Sequence, residues 1–292
     1  MFSSIMFITC GHLQAFTGEH ILSVIMKLAN PFKLFQMVDR LDGVKAMRPL
    51  GTGVILSLGD TVFRLCPRKW RFPLAIRLSI ILGQLVRRST LYRPAAGSLL
   101  GFRDHTLRII LDRLIRQGIE FDFVLTVRGA EHLSAEGIIL VSGHIYLNLL
   151  FMRWLQDHGR RISLVMANPE DRTPLIDKCI PSLIKADAWC LNRIRRHVAE
   201  GEIVAVALDS PKPGKDAHKI DALNAPVFIS SSIFQFAERA RIPILYFATH
   251  LTPKGEVVTN IVNPSSPQAT IATDELCLFL NSYLNQIDWQ AS

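Results

Sequence analysis

The side chain best placed to do chemistry in this chain is His144, and its surroundings decide which chemistry that is. It closes the run Gly-Ile-Ile-Leu-Val-Ser-Gly-His that begins at Gly137, and an apolar stretch of helical length then continues to Leu150. Four apolar residues, Ile138 to Val141, followed by small ones and a histidine read as a buried strand that delivers an imidazole to the mouth of a helix. An imidazole in that position can take a proton from a hydroxyl, and a positioned base contributes roughly 10²–10⁴-fold. Asp209 occupies a comparable place, directly after the apolar run Ile203 to Leu208. In layered α/β sheets, reactive groups gather beyond the carboxyl ends of strands, and both residues stand at such ends. The competing reading makes Asp209 a cap of the turn Asp-Ser-Pro-Lys-Pro-Gly, which is rich in turn formers.

Three cations extend the list of candidates. Lys212 and Lys215 lie in that same turn with Gly214 between them, where close backbone approach and two ammonium groups suit a phosphate; a solvated loop is the alternative. Arg172, in Asn-Pro-Glu-Asp-Arg, is a further phosphate or headgroup candidate. Other chemistries find little support. Gly-x-Ser-x-Gly is absent, and His132, His218 and His250 have no metal-ligand spacing to another His, Cys or carboxylate. His197 and Glu202 stand five residues apart, but Gly201 breaks the helix between them, so their spacing reads as coincidence.

The elements that must carry these groups change in kind along the chain. Up to about residue 120 the pattern is helical: Ile21 to Phe35 broken at Asn30-Pro31, Val54 to Leu65, Pro73 to Arg88, and Ser98 to Gln117 ending at Gly118. In the last of these, Leu107, Ile110, Leu111, Leu114 and Ile115 recur at helical spacing, so one face is core. Beyond Gly118, β-rich runs at Phe121–Val127, Ile138–Val141, Ile162–Met166, Ile203–Leu208, Ile242–Phe247 and Val257–Val262 alternate with helical segments at Ile145–Gln156, Asn192–Glu200 and Ser230–Arg241. Such alternation indicates an α/β fold: a central mixed, largely parallel sheet flanked by helices, with a helical N-terminal extension. The expected organisation is a basic helical region over 1–120 and an α/β core over 121–292, forming one continuous domain.

Charge and composition narrow the setting. Between Lys45 and Leu100 ten Lys and Arg face a single acid, Asp60, so this segment carries +9 of the net +8 and the remainder of the chain is near −1. The interleaved residues are mainly aliphatic, which suits a helix lying in an anionic lipid interface. Base stacking calls for aromatics, so nucleic acid is not the expected partner. A hydrophobic fraction of 49% points the same way, yet no apolar run approaches the ~18 residues of a membrane-spanning helix. Five cysteines without a Cys-x-x-Cys pair argue against a disulfide scaffold, and Met1 to Cys10 lacks the charged leader of a secretory signal. The expectation is a cytoplasmic protein, peripheral on the inner membrane.

The order of these motifs resembles the lysophospholipid acyltransferase superfamily, in particular its lipid A late acyltransferase branch. The resemblance runs from about Val124 to Val262. It rests on the Gly-His144 strand, Asn168-Pro169-Glu-Asp-Arg172, Gly201-Glu-Ile-Val-Ala-Val-Ala-Leu-Asp209, and Ser230-Ser-Ser with Phe236-Ala-Glu-Arg-Ala-Arg-Ile-Pro243. It implies an acyltransferase in which the histidine activates an acceptor hydroxyl or amine against an acyl thioester, with acyl carrier protein or acyl-CoA as co-substrate and no other cofactor. An acidic carrier protein is also drawn to a basic surface. The resemblance further implies an acid five residues after the histidine, where this chain has Leu149. Asn148, one residue earlier, would return to the histidine's face on a continuous helix and could hold the ring through its amide oxygen; Asp209 is the other candidate partner. Loss of the acid also leaves open a catalytically degenerate protein that binds lipid or acyl groups.

Overall fold

The structure, a computed structural model, describes residues 5–9, 12–16, 60–88, 102–180, 182–210, 217–221, 226–252 and 254–287. The chain divides into two compact units, Met1–Pro67 and Arg68–Ser292. In the first, β1 (Ile5–Thr9) pairs antiparallel with β2 (His12–Phe16), a hairpin that the sequence reading does not anticipate, and residues 60–65 are helical. The helix expected at Ile21–Phe35 and most of that at Val54–Leu65 lie outside the described residues.

The second unit opens with α1 (Arg68–Arg88) and α2 (Phe102–Arg116), both anticipated within a few residues. Helix α1 buries Phe72, Ala75, Ile76 and Ser79, spaced i, i+3, i+4 and i+7, while Lys69, Trp70, Pro73 and Arg77 are exposed. Leu107, Leu111 and Leu114 form the inward stripe of α2.

A seven-stranded sheet follows. Its strands in chain order are β3 (Leu125–Arg128), β4 (Ile138–Ser142), β5 (Ile162–Met166), β6 (Ser182–Lys185), β7 (Ile203–Ala207), β11 (Ile244–Leu251) and β12 (Val257–Val262). In space they run β3-β12-β11-β4-β7-β5-β6. Five are parallel; β12 is antiparallel to β11, and β3 runs with β12. All five residues of β4 are buried, which is why the strand reads as a continuous apolar run: both faces of a central parallel strand are covered.

Two helical layers cover the sheet. On one face Ile139, Val141, Val204, Val206 and Tyr246 pack with Ile194 of α5 (Cys190–Ala199), Phe234 of α6 (Ser232–Ala240) and Leu276 of α7 (Ala269–Ile287). On the other lies α3 (Asn148–Asp157), whose Phe151 meets Phe247 of β11 at 5.5 Å between ring centroids, and beyond it α4 (Pro174–Cys179). Between β7 and α6, a three-stranded sheet forms from β8 (Asp209–Ser210), β9 (Ala217–Asp221) and β10 (Pro226–Ser230), with β10 in the middle. The expected strand at Phe121–Val127 contracts to β3. Phe121 and Phe123 instead turn onto Phe72 of α1, with centroids 5.8 and 5.9 Å away.

Candidate active site

Register alone brings His144 and Asp209 together. Strands β4 and β7 are adjacent and parallel, and their last rung pairs Ser142 with Ala207. Each reactive residue stands two positions beyond that rung, so the two leave neighbouring strands at the same height, where strands lie roughly 4.8 Å apart. The Leu208 N–H donates to the Ser142 carbonyl at 2.9 Å and extends the alignment past the rung. Asp209 is then held by β10, opposite Ile229.

The resulting contact is double. Asp209 Oδ1 accepts from the main-chain N–H of His144 at 2.6 Å and lies 2.7 Å from the ring Nδ1. An ionised carboxylate only accepts, so Nδ1 carries the proton and Nε2 is left with its lone pair. The carboxylate side chain is 5% exposed and the imidazole 70%, so the acid is sheltered beneath an accessible ring. The hydrogen bond that the ring donates to Asp209 raises the histidine pKa above its ordinary 6.5; burial opposes this, and the Asp209 charge reinforces it. An orienting carboxylate, a fixed tautomer and an exposed basic nitrogen together equip the site for general-base chemistry.

Asn148 does not face the ring. Its return to the histidine's side requires a helix continuous from His144, but α3 begins only at Asn148, and Ile145 to Leu147 form a turn in which Ile145 N–H donates to Gly143 O at 2.7 Å. The buried amide instead donates to Ser142 Oγ at 2.9 Å and to Gly143 O at 3.5 Å, and accepts the Thr249 N–H at 2.9 Å. Leu149, at the position of the implied acid, is 7% exposed.

The remaining candidates separate from this pair. Arg172 bonds to Pro169 O of its own loop at 2.9 Å and to Asp177 Oδ1 of α4 at 3.4 Å, and that loop leaves β5, with β7 between it and β4. Lys212 and Lys215 lie outside the described residues. Ser230 Oγ accepts the Ser232 N–H at 3.3 Å as α6 begins.

One group read from the sequence as coincidental is a contact. His197 Nδ1 lies 2.8 Å from Glu202 Oε2, to which buried Ser163 also donates at 2.7 Å. The break at Gly201, with φ of 78°, makes this possible: α5 ends, the chain reverses, and Glu202 N–H bonds to His197 O at 3.0 Å. The cluster sits where β7 begins, at the end of the sheet opposite His144.

No family model matches this chain, and no curated protein does. Among solved structures, the crystal structure of the 1-acyl-sn-glycerophosphate acyltransferase PlsC from Thermotoga maritima is similar to it, with 14% identity, 76% of this chain and 98% of that chain covered, and a TM-score of 0.36. Among the described residues, no helix is long and apolar enough to cross a membrane.

Proposed function

We propose that this protein is an acyltransferase that moves a fatty acyl group from an acyl thioester, on acyl carrier protein or coenzyme A, to a hydroxyl or amine acceptor at a membrane surface. The observation that carries this reading is the 2.7 Å contact between His144 Nδ1 and Asp209 beneath an exposed ring. His144 Nε2 takes the proton of the acceptor hydroxyl as its oxygen bonds to the thioester carbonyl carbon. Asp209 stabilises the imidazolium that forms. Collapse of the tetrahedral intermediate breaks the C–S bond, and the imidazolium returns the proton to the departing thiolate. No acyl-enzyme is required, because the acceptor attacks directly. The motif order that resembles the superfamily supports the same chemistry, with Asp209 in the orienting role that the resemblance gives to an acid five residues after the histidine.

The membrane side of the reading draws on α1, which has no acid in its 21 residues and exposes Lys69, Trp70 and Arg77 along its outer face. Lys212, Lys215 and Arg172 complete it as charge complements to phosphate on the donor or the lipid. The test is transfer of labelled acyl groups from acyl carrier protein and from acyl-CoA to membrane extract. Absence of labelled product, or equal product from His144→Ala, would sink the proposal.

Buried Leu149 favours a second reading, an acyltransferase fold that binds lipid or acyl chains without turnover. Binding of acyl donor by both wild type and His144→Ala, with transfer by neither, would select it.

A further inference from the structure

Beyond the base and its partner, a single peptide bond is held from both ends. The Gly143–His144 peptide gives its N–H to Asp209 at 2.6 Å, and its carbonyl oxygen lies 3.5 Å from the Asn148 amide. The firm attachments of that amide are Ser142 Oγ on one side and the Thr249 N–H on the other, both at 2.9 Å.

The bond to Thr249 explains why an amide is needed there. Strand β11 runs on past β4: their last pair is Tyr246 with Val141, while β11 continues to Leu251. Thr249 is fully buried at a level where β4 has already turned away, so its N–H needs an acceptor that the sheet does not supply. Asn148, 4% exposed, supplies it and directs its amide nitrogen to Ser142 at the end of β4 and to Gly143 just beyond. Thr249 is in turn tied to Thr259 of β12 at 2.8 Å between hydroxyls.

We propose that Asn148 is a positioning residue, a buried clamp that fastens the Gly143–His144 peptide to β11 and thereby holds the imidazole against Asp209. This rests on His144 being the base, and it concerns the backbone beneath that base. Asn148 acts through His144 and does not meet substrate.

The experiment is an NMR titration of the His144 ring in wild type, Asn148→Ala and Ser142→Ala, with His144→Gln identifying the resonance, alongside thermal unfolding and steady-state transfer kinetics. A clamp predicts that the titration midpoint, above 6.5 in wild type, falls toward the ordinary value in both variants, further in Asn148→Ala, and that kcat drops about 10- to 100-fold with KM little changed. A lowered melting temperature with an unmoved midpoint in folded variants overturns it, because that is all a structural amide would produce. Should Asn148→Ala fail to fold, Ser142→Ala decides alone. A midpoint that moves in a protein without transfer activity keeps the clamp and rejects the base. Normal activity with an unmoved midpoint does the reverse.

Discussion

Asp209 binds His144 twice through one oxygen, at the main-chain N–H and at the ring Nδ1, and so fixes both the position of the residue and the tautomer of its side chain. Replacing the acid by an amide of the same shape separates these functions. Asp209→Asn keeps an acceptor for the main-chain N–H but removes the charge that supports imidazolium and lets the amide nitrogen face the ring. Transfer is expected to fall about 10³–10⁴-fold, close to the loss in His144→Ala, with circular dichroism unchanged. Wild-type rates in Asp209→Asn would remove Asp209 from the site.

The raised pKa of His144 sets a pH dependence with a definite sign. A histidine base works when neutral, so with His144 in the proposed role transfer is expected to be low at acid pH and to rise as pH passes a midpoint above 6.5, the ordinary histidine value. For stability the direction is opposite. A raised folded-state pKa contributes fully below the unfolded value and is lost as pH rises through the folded one. The rate profile of kcat/KM should therefore place its ascending limb above that of an ordinary histidine. The same limb in Asp209→Asn should shift to lower pH, since the group that raises the pKa is gone.

Leu149 yields a prediction against intuition. Restoring the acid that the family resemblance implies would put a carboxylate at a position that is 7% exposed, in the buried first turn of α3. Leu149→Glu is expected to destabilise by on the order of 3 kcal/mol rather than to raise transfer. Chemical denaturation together with the transfer assay checks both halves, and a stable, more active variant would mean that the helix start rearranges to bring position 149 toward the ring.

Much of this site was legible from the chain, and its failures have physical causes. Strands β4, β5, β7 and β12 fall where apolar runs between breakers place them; for β4 and β7, at the centre of the sheet, burial on both faces leaves that signature. His144 and Asp209 each stand six residues after the start of such a run, Ile138 and Ile203, which is the available signal that they meet, but adjacency of β4 and β7 is a matter of topology that periodicity does not carry. A helical wheel that starts at the histidine misplaces Asn148, because the turn at Ile145–Leu147 delays the start of α3. The spacing of His197 and Glu202 misleads for the opposite reason: a glycine that ends a helix can also fold the next acid back onto it. The short strands β6 and β8 lack the length for a periodic signal.

That second histidine pair supplies a stability prediction independent of catalysis. Burial pushes the Glu202 carboxyl up, but hydrogen bonds from His197 and Ser163, with the charges of His197 and Arg161, outweigh it and hold the group below its ordinary value. A depressed acid contributes above its unfolded pKa and loses that contribution as pH falls through the folded one. Glu202→Gln should therefore cost about 1–3 kcal/mol near neutrality, with the gap to wild type closing in acid. Because the cluster lies at the opposite end of the sheet, the His144 titration should not move. Melting curves between about pH 4 and 8 measure the first effect, and a shifted His144 midpoint would contradict the second.

The outer face of α1 carries the last prediction. Trp70 is 56% exposed, far more than a buried indole, and Lys69 and Arg77 flank it on a helix without acids. Arg68 is already engaged, with Glu120 at 2.8 Å and Asp122 at 2.6 Å, so it holds the helix to the body of the unit while its neighbours face outward. Each basic residue near an anionic surface is worth about 1 kcal/mol, so Lys69→Glu with Arg77→Glu should weaken sedimentation with phosphatidylglycerol-containing vesicles by at least 30-fold, to a degree that shrinks at high salt. Trp70→Ala should weaken it in a salt-independent way, because an indole at the interface contributes by burial. Binding to purely zwitterionic vesicles should be weak throughout. Equal affinity for both vesicle types, or indifference to all three substitutions, would remove this face of α1 as a membrane-docking surface.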